Sequence, residues 1–394
     1  MVEVISILKV ASFFYIGYFL LSVLGNLLIS FRPITFFTFE MLILYGVSLI
    51  LGIYMSNIDI FKKHFISFNY KISIKKLIIG ISVFTTMSIL FSWVYLINYY
   101  GNLEYMFLNA YTIRSNSIGQ AEGLIPVYLT YMNGLIFALF SIVLSYIGHS
   151  GNYKYKLLCV YLFLLILLSD LISFGRIGML YAIFSIIGYY LVFKKKLFSM
   201  QNIMLCITLF LVLSLPRLIR GSFDNFDASI AVYLPYLKYK INAFFNPFIV
   251  NYIYYFSAPY ALDYYLVNVD IPPTYGMRNF APIYNFIYRI FDSNMHIGLI
   301  DSSAYIPFEY NIYTIVKDLY EDFDVVGVAV IPIFFGVYLG NLFKHSGIKF
   351  DALKIYMLGW IFYTPIYNVF SFGAFLISFF FLNLICCFSK DTKV

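Results

Sequence analysis

Arg217 and Arg220 are the residue pair whose spacing points most directly to chemistry. They lie three residues apart, so on a helix both guanidiniums project from one face. Pro216 kinks or ends a helix just before them, and Gly221 follows where a helix can stop. The planar donor fork of arginine matches phosphate oxygens. Two forks on one face at a membrane surface make a clamp for a diphosphate; the competing reading is an anchor among lipid headgroups. Arg176, in Ser173-Phe174-Gly175-Arg176-Ile177-Gly178, sits in a one-turn connection and carries the same two readings. Arg278, in Thr274-Tyr275-Gly276-Met277-Arg278-Asn279, and Arg289, after Tyr288, either contact a substrate or pair with nearby carboxylates.

Candidate proton acceptors are fewer. Asp318 and Asp322 are spaced i,i+4 and share a face, with Glu321 and Asp324 beside them. Two carboxylates that compete for a proton suit a general base, whereas a solvated acidic helix start is the plainer reading. Glu309 and His296 are the other candidate bases. Asp170 falls inside an apolar run, where an acid is functional by default, and its distance from Arg176 directs it to a partner on another helix. Tyr252, Tyr254, Tyr255, Tyr260, Tyr264 and Tyr265 either stack on sugar rings or pack at an interface.

These residues must be positioned by elements that lie in lipid. The 394-residue chain is 62% hydrophobic and 11% charged, with mean hydropathy +0.85, whereas a soluble chain is nearer half apolar and a quarter charged. The net charge of +7 is spread over loop lysines and gives no support to nucleic-acid binding. The four cysteines lie in apolar runs without metal-ligand spacing. There is no Walker loop, no G-x-S-x-G and no D-x-D pair for a metal-dependent transferase, so neither metal nor cofactor is expected. The first apolar segment has no small-residue cleavage site and reads as a retained helix.

Hydropathy predicts an all-α polytopic membrane protein of one integral membrane domain, with about ten spans and at most twelve. The expected spans are 10–30, 36–56, 77–99, 126–148, 157–174, 177–193, 203–219, 325–343, 354–369 and 371–388. Segment 220–324, between the seventh and eighth, holds eleven of the nineteen acids and reads as a long external loop region. Within it, 248–268 is apolar, Tyr-rich and interrupted by Pro259 and Asp263, which suits an interfacial or re-entrant helix; a pair of extra spans is the alternative. Sixteen of the lysines then lie on one side, which makes that side cytoplasmic along with both termini. All seven arginines fall in or beside the opposite, external segments. Lysine sets the orientation, and arginine is kept for the outer face. His64, His149 and His345 fall in the cytoplasmic loops, which leaves His296 outside. Nucleotide sugars are not found outside the cell, so an external transferase would draw on a lipid-carried donor.

Four stretches together resemble the Wzy-type O-antigen and capsular polysaccharide repeat-unit polymerases. They are Ser173–Gly178, Pro216–Gly221, the aromatic stretch 252–265, and Asn311-Ile312-Tyr313-Thr314 followed by Tyr320-Glu321-Asp322-Phe323 and Gly327. The families often show N-x-Y-T, then Y-x-D-F-G; here Asp324 stands where glycine is usual. The resemblance implies glycosyl transfer at the outer face of a bacterial inner membrane. A growing glycan on undecaprenyl diphosphate passes to the non-reducing end of a new lipid-linked repeat unit, without metal. It implies Arg176, Arg217, Arg220, Arg278, Arg289, Tyr255 and Tyr313 as substrate contacts, and Asp322, Glu309 or His296 as the base. A chain-length regulator and a flippase are the partners it implies. An O-antigen ligase-like transferase and a flippase of the same lipid-linked sugar are the competing functions.

Overall fold

The structure is a computed structural model that describes residues 2–58, 73–110, 113, 125–173, 175–195, 199, 208, 212–213, 234–239, 246–269, 272–291, 297, 304–310 and 312–388. Thirteen α-helices occur among them, with one two-stranded hairpin. The helices are α1 (Val2–Leu28), α2 (Phe36–Met55), α3 (Ile74–Tyr100), α4 (Leu103–Leu108), α5 (Val127–Ser150), α6 (Tyr153–Ile172) and α7 (Ile177–Val192). After these come α8 (Asn246–Phe256), α9 (Ala258–Asn268), α10 (Ala281–Ile290), α11 (Ile315–Leu342), α12 (Ile348–Tyr363) and α13 (Gly373–Phe388). Strands β1 (Ala304–Tyr305) and β2 (Glu309–Tyr310) pair antiparallel between α10 and α11.

Five helices are long and apolar enough to cross a membrane: α2, α3, α5 from Tyr128, α6 and α11. Phe14–Leu28 and helices α7 and α13 are apolar but shorter. The all-α membrane class expected from hydropathy is therefore what the described residues show. The expected seventh span, 203–219, lies almost wholly outside them, and Arg217 and Arg220 with it. The expected ninth span, 354–369, is corrected: the helix is Ile348–Tyr363, and Lys349, Asp351 and Lys354, expected in or beside a solvated loop, are buried within it. Asp351 and Lys354 are tolerated because they pair: Asp351 accepts from Lys354 Nζ at 2.8 Å and lies 2.9 Å from His149 Nε2, while the Lys349 ammonium sits over the Phe350 ring at 5.3 Å.

Contacts divide the chain into two units interleaved in sequence. One comprises Met1–Lys62, Gly221–Asn341 and Ile361–Phe372; the other comprises Lys63–Arg220, Leu342–Trp360 and Gly373–Val394. In the second unit α5 is the central rod. It ends at Gly151 in the left-handed conformation (φ +62°), and Asn152 starts α6 by accepting the Lys154 N–H at 3.0 Å. Asn133 on α5 accepts from Ser88 Oγ at 2.7 Å and donates to Ser92 Oγ at 3.0 Å, a polar clasp onto α3. Gly134 lets the Ala374 backbone of α13 approach so closely that a Cβ would meet it at 2.6 Å.

In the first unit, α2 and α11 lie against each other through small residues. Ser48, Gly52 and Ser56 recur every fourth residue on α2, as do Gly336 and Gly340 on α11. A Cβ on Gly52 would strike the Ile333 carbonyl, and one on Gly336 would strike the Leu49 carbonyl. Lipid supplies no hydrophobic drive between helices, so this close backbone approach is what joins them. Helices α8 and α9 each have eleven residues, about 16 Å of helix. Each covers about half of a hydrocarbon core, so the 248–268 stretch is a broken pair of short helices. Pro259 fits because it occupies the first turn of α9.

Gly336→Ala should lower the thermal midpoint in detergent, a cost of about 1–3 kcal/mol for an overpacked backbone contact. Gly46→Ala, on α2 with open space around it, should not. Equal midpoints for the two variants would refute the small-residue contact.

Candidate functional site

The site is built where α11 begins. Its N-terminal half carries Lys317, Asp318, Glu321 and Asp322, and the helix breaks just after them. At the break Phe323 has φ −144° and Asp324 has φ +56°, ψ −153°. That region is populated almost only by glycine. The backbone here takes a glycine-like conformation although the residue is Asp324. The Asp324 carboxylate accepts the Val325 N–H at 2.8 Å. Gly327 completes the break, because a Cβ there would strike the Leu319 carbonyl.

Asp322 is fully buried, at 0% exposure, and both its oxygens are occupied. Oδ1 accepts the Arg278 N–H at 3.0 Å and the Thr274 hydroxyl; Oδ2 accepts the Asn279 N–H at 2.9 Å and the Asn279 side-chain amide at 2.6 Å. The backbone repeats the clasp: Thr274 N–H donates to the Glu321 carbonyl and Tyr275 N–H to the Asp322 carbonyl, both at 3.0 Å. The turn 274–279, which passes through positive φ at Tyr275 (+51°) and Gly276 (+91°), is thereby bolted to α11. Asp322 therefore positions a loop, with both of its oxygens occupied by donors from it.

Above the clasp lies a buried chain of charges. Glu321 receives Arg278 Nε on Oε1 at 2.6 Å and Lys317 Nζ on Oε2 at 2.7 Å. The Lys317 ammonium sits over the rings of Tyr265 (4.8 Å) and Tyr313 (5.2 Å), a placement that stabilises a desolvated cation. Asn368 Nδ2 donates to Asp318 Oδ2 and to Asn279 Oδ1, each at 2.9 Å, and so ties the α12–α13 turn into the network. Only Arg278 reaches solvent appreciably: its side chain is 27% exposed, against 0% for Glu321 and 1% for Lys317.

The expected residues are thus partly assembled and partly dispersed. Asp322 and Arg278 come together, and Asp318 and Asp322 are linked through Asn279 and Asn368. Tyr313 joins as a cation-holding ring. Tyr255 and Tyr313, the two tyrosines expected as substrate contacts, are both buried. Arg176 belongs to the other unit and is also buried, which corrects the headgroup-anchor reading. It lies at the start of α7, where Asp170 accepts the N–H groups of Gly178 (3.0 Å) and Met179 (2.7 Å). Asp170 thus finds its partner on the next helix, and Gly178 is required because a Cβ would meet Asp170 Oδ1 at 2.9 Å. Arg289 and Glu309 lie in described elements, but their side chains, with all of Arg217, Arg220 and His296, fall outside the described residues. Sequence reasoning missed Lys317, Asn279 and Asn368. The i,i+4 spacing of Lys317 and Glu321 was a usable signal; the asparagines had none.

Asp324→Gly should raise stability by about 1 kcal/mol by relieving the positive φ. Asp322→Ala should cost about 3 kcal/mol or more, because three backbone and side-chain amide donors lose their buried acceptor. Both are read as thermal midpoints in detergent, and a destabilised Asp324→Gly would contradict the strain. Comparison of the chain with protein-family models, with curated proteins and with solved structures finds no match.

Proposed function

We propose that the chain is a polymerase of lipid-linked oligosaccharide repeat units, acting by metal-independent glycosyl transfer at the external face of a bacterial inner membrane. The observation that carries the reading is Arg278: a guanidinium fixed by a buried carboxylate, yet open to solvent, where a candidate span begins. A fixed cation can stabilise charge that develops on a departing diphosphate without reorganising. Lys317 behind it is matched by Glu321 and Asp318, so the Arg278 guanidinium itself carries the reading.

One of the four resembling stretches supports the reading here, since Tyr313, Asp322 and Asp324 all belong to it. About ten spans, with cytoplasmic termini, accommodate the lysine bias and leave 220–324 outside. Arg289 is a further diphosphate ligand in this reading, with undecaprenyl-diphosphate-linked glycans as donor and acceptor. The chemistry also needs a base for the acceptor hydroxyl, and Asp322 is engaged elsewhere.

Deletion of the gene should reduce the surface glycan ladder to a single repeat unit. Loss of all surface glycan with cytoplasm-facing lipid intermediates would identify a flippase instead, and a full ladder of unattached glycan a ligase. A cysteine at Tyr305, 64% exposed, should react with an impermeant thiol reagent from outside the cell; reaction only after permeabilisation would overturn the proposed sidedness. Arg278→Ala should shorten the ladder at least tenfold in mean length at normal protein levels.

A further inference from the structure

Three buried or half-buried carboxylates of this chain organise backbone, and they do so differently. Asp322 has donors on both oxygens, as does Asp170. Asp263, on α9, has three donors on one oxygen and none on the other. Its Oδ1 accepts the Thr35 N–H at 2.7 Å, the Thr35 hydroxyl at 2.5 Å and the Thr38 hydroxyl at 2.7 Å. Its Oδ2 has no hydrogen-bond partner among the described residues, and the side chain is half-buried. A carboxylate that served only to tie α9 to α2 would gain by using both oxygens. One immobilised through a single oxygen presents the other in a fixed direction.

The surroundings match a reacting centre. The segment 29–35 runs along α9: Phe31 stacks on Tyr260 with centroids 4.2 Å apart, and Thr35 grips Asp263 one turn further on. Arg32 lies between these two contacts and is exposed, without an ion-pair partner among the described residues. Two residues after Asp263, Tyr265 carries the Lys317 ammonium. Phe37, at the start of α2, meets the Tyr320 ring at 6.1 Å. The α2 start, α9 and the charged half of α11 therefore converge within one unit. The other described acids here are committed: Glu321 to Arg278 and Lys317, Asp318 to Asn368 and Lys317. Asp324 is exposed and held only by its neighbour's N–H.

We infer that Asp263 is the general base of the proposed transfer, with Thr35 and Thr38 as its positioning residues and Arg32 as an added phosphate ligand. Oδ2 takes the proton of the acceptor sugar hydroxyl. The freed oxygen lone pair attacks the anomeric carbon of the donor. The bond from that carbon to the phosphate oxygen breaks, and its electron pair leaves with the lipid diphosphate, which the guanidiniums stabilise. This assignment rests on the polymerase reading.

The test compares glycan ladders from strains that carry wild-type protein, Asp263→Asn, Asp263→Glu, Thr38→Val or the gene deletion. Asp263→Asn keeps an acceptor for the threonines and removes the basic oxygen. It should lower elongation at least a hundredfold at normal protein levels. Asp263→Glu should restore a measurable fraction, and Thr38→Val should retain at least a tenth of wild-type elongation. A normal ladder from Asp263→Asn, or equal damage from Thr38→Val and Asp263→Asn, would overturn the assignment while leaving the polymerase reading intact. A deletion strain with a normal ladder would overturn that reading itself.

Discussion

The buried Asp322 carboxylate is the constraint on which this part of the structure depends. A desolvated charge is costly unless its oxygens are filled. Here the filling comes from the 274–279 turn, through two backbone N–H groups, a threonine hydroxyl and an asparagine amide. Meeting the carboxylate's needs therefore fixes a loop in space. The loop delivers Arg278, and Arg278 meets Glu321, which is in turn held by Lys317. One carboxylate orders a turn, and the turn orients the one partly exposed cation of the cluster.

The same logic explains why the helix must break where it does. With α11 continuous, Phe323 and Asp324 would carry the chain on as one rod past the clasp. The break, with Asp324 at positive φ and Gly327 folded over the Leu319 carbonyl, separates a charged half that anchors loops from an apolar half that packs against α2. The two halves use opposite chemistry. Saturated hydrogen bonding stabilises the first, and close backbone approach at Gly52, Gly336 and Gly340 stabilises the second.

Much of the helical frame was legible in the sequence, because hydropathy runs of twenty residues leave lipid-facing helices few alternatives. The expected 36–56, 126–148 and 177–193 fall close to α2, α5 and α7. The limits at 325–343 match the part of α11 beyond its break. The ninth span starts earlier than expected for a physical reason: Lys354 pairs with Asp351 inside the helix, so a lysine there does not mark a loop. In the candidate site, Asp322 and Arg278 were legible as charged residues but not as partners, since forty-four positions separate them. Asn279 and Asn368 were not legible at all, because an asparagine that bridges two buried acids looks like any loop asparagine until the chain is folded.

The central claim is that the clasp holds Arg278 ready for a diphosphate. It is tested most directly by titrating purified protein in detergent with a short-chain polyprenyl diphosphate, and by repeating the titration with Arg278→Ala, which leaves Glu321 its Lys317 partner. The account predicts at least tenfold weaker binding by the variant, measured at a temperature where both proteins remain folded. Equal affinity for the two proteins would contradict it.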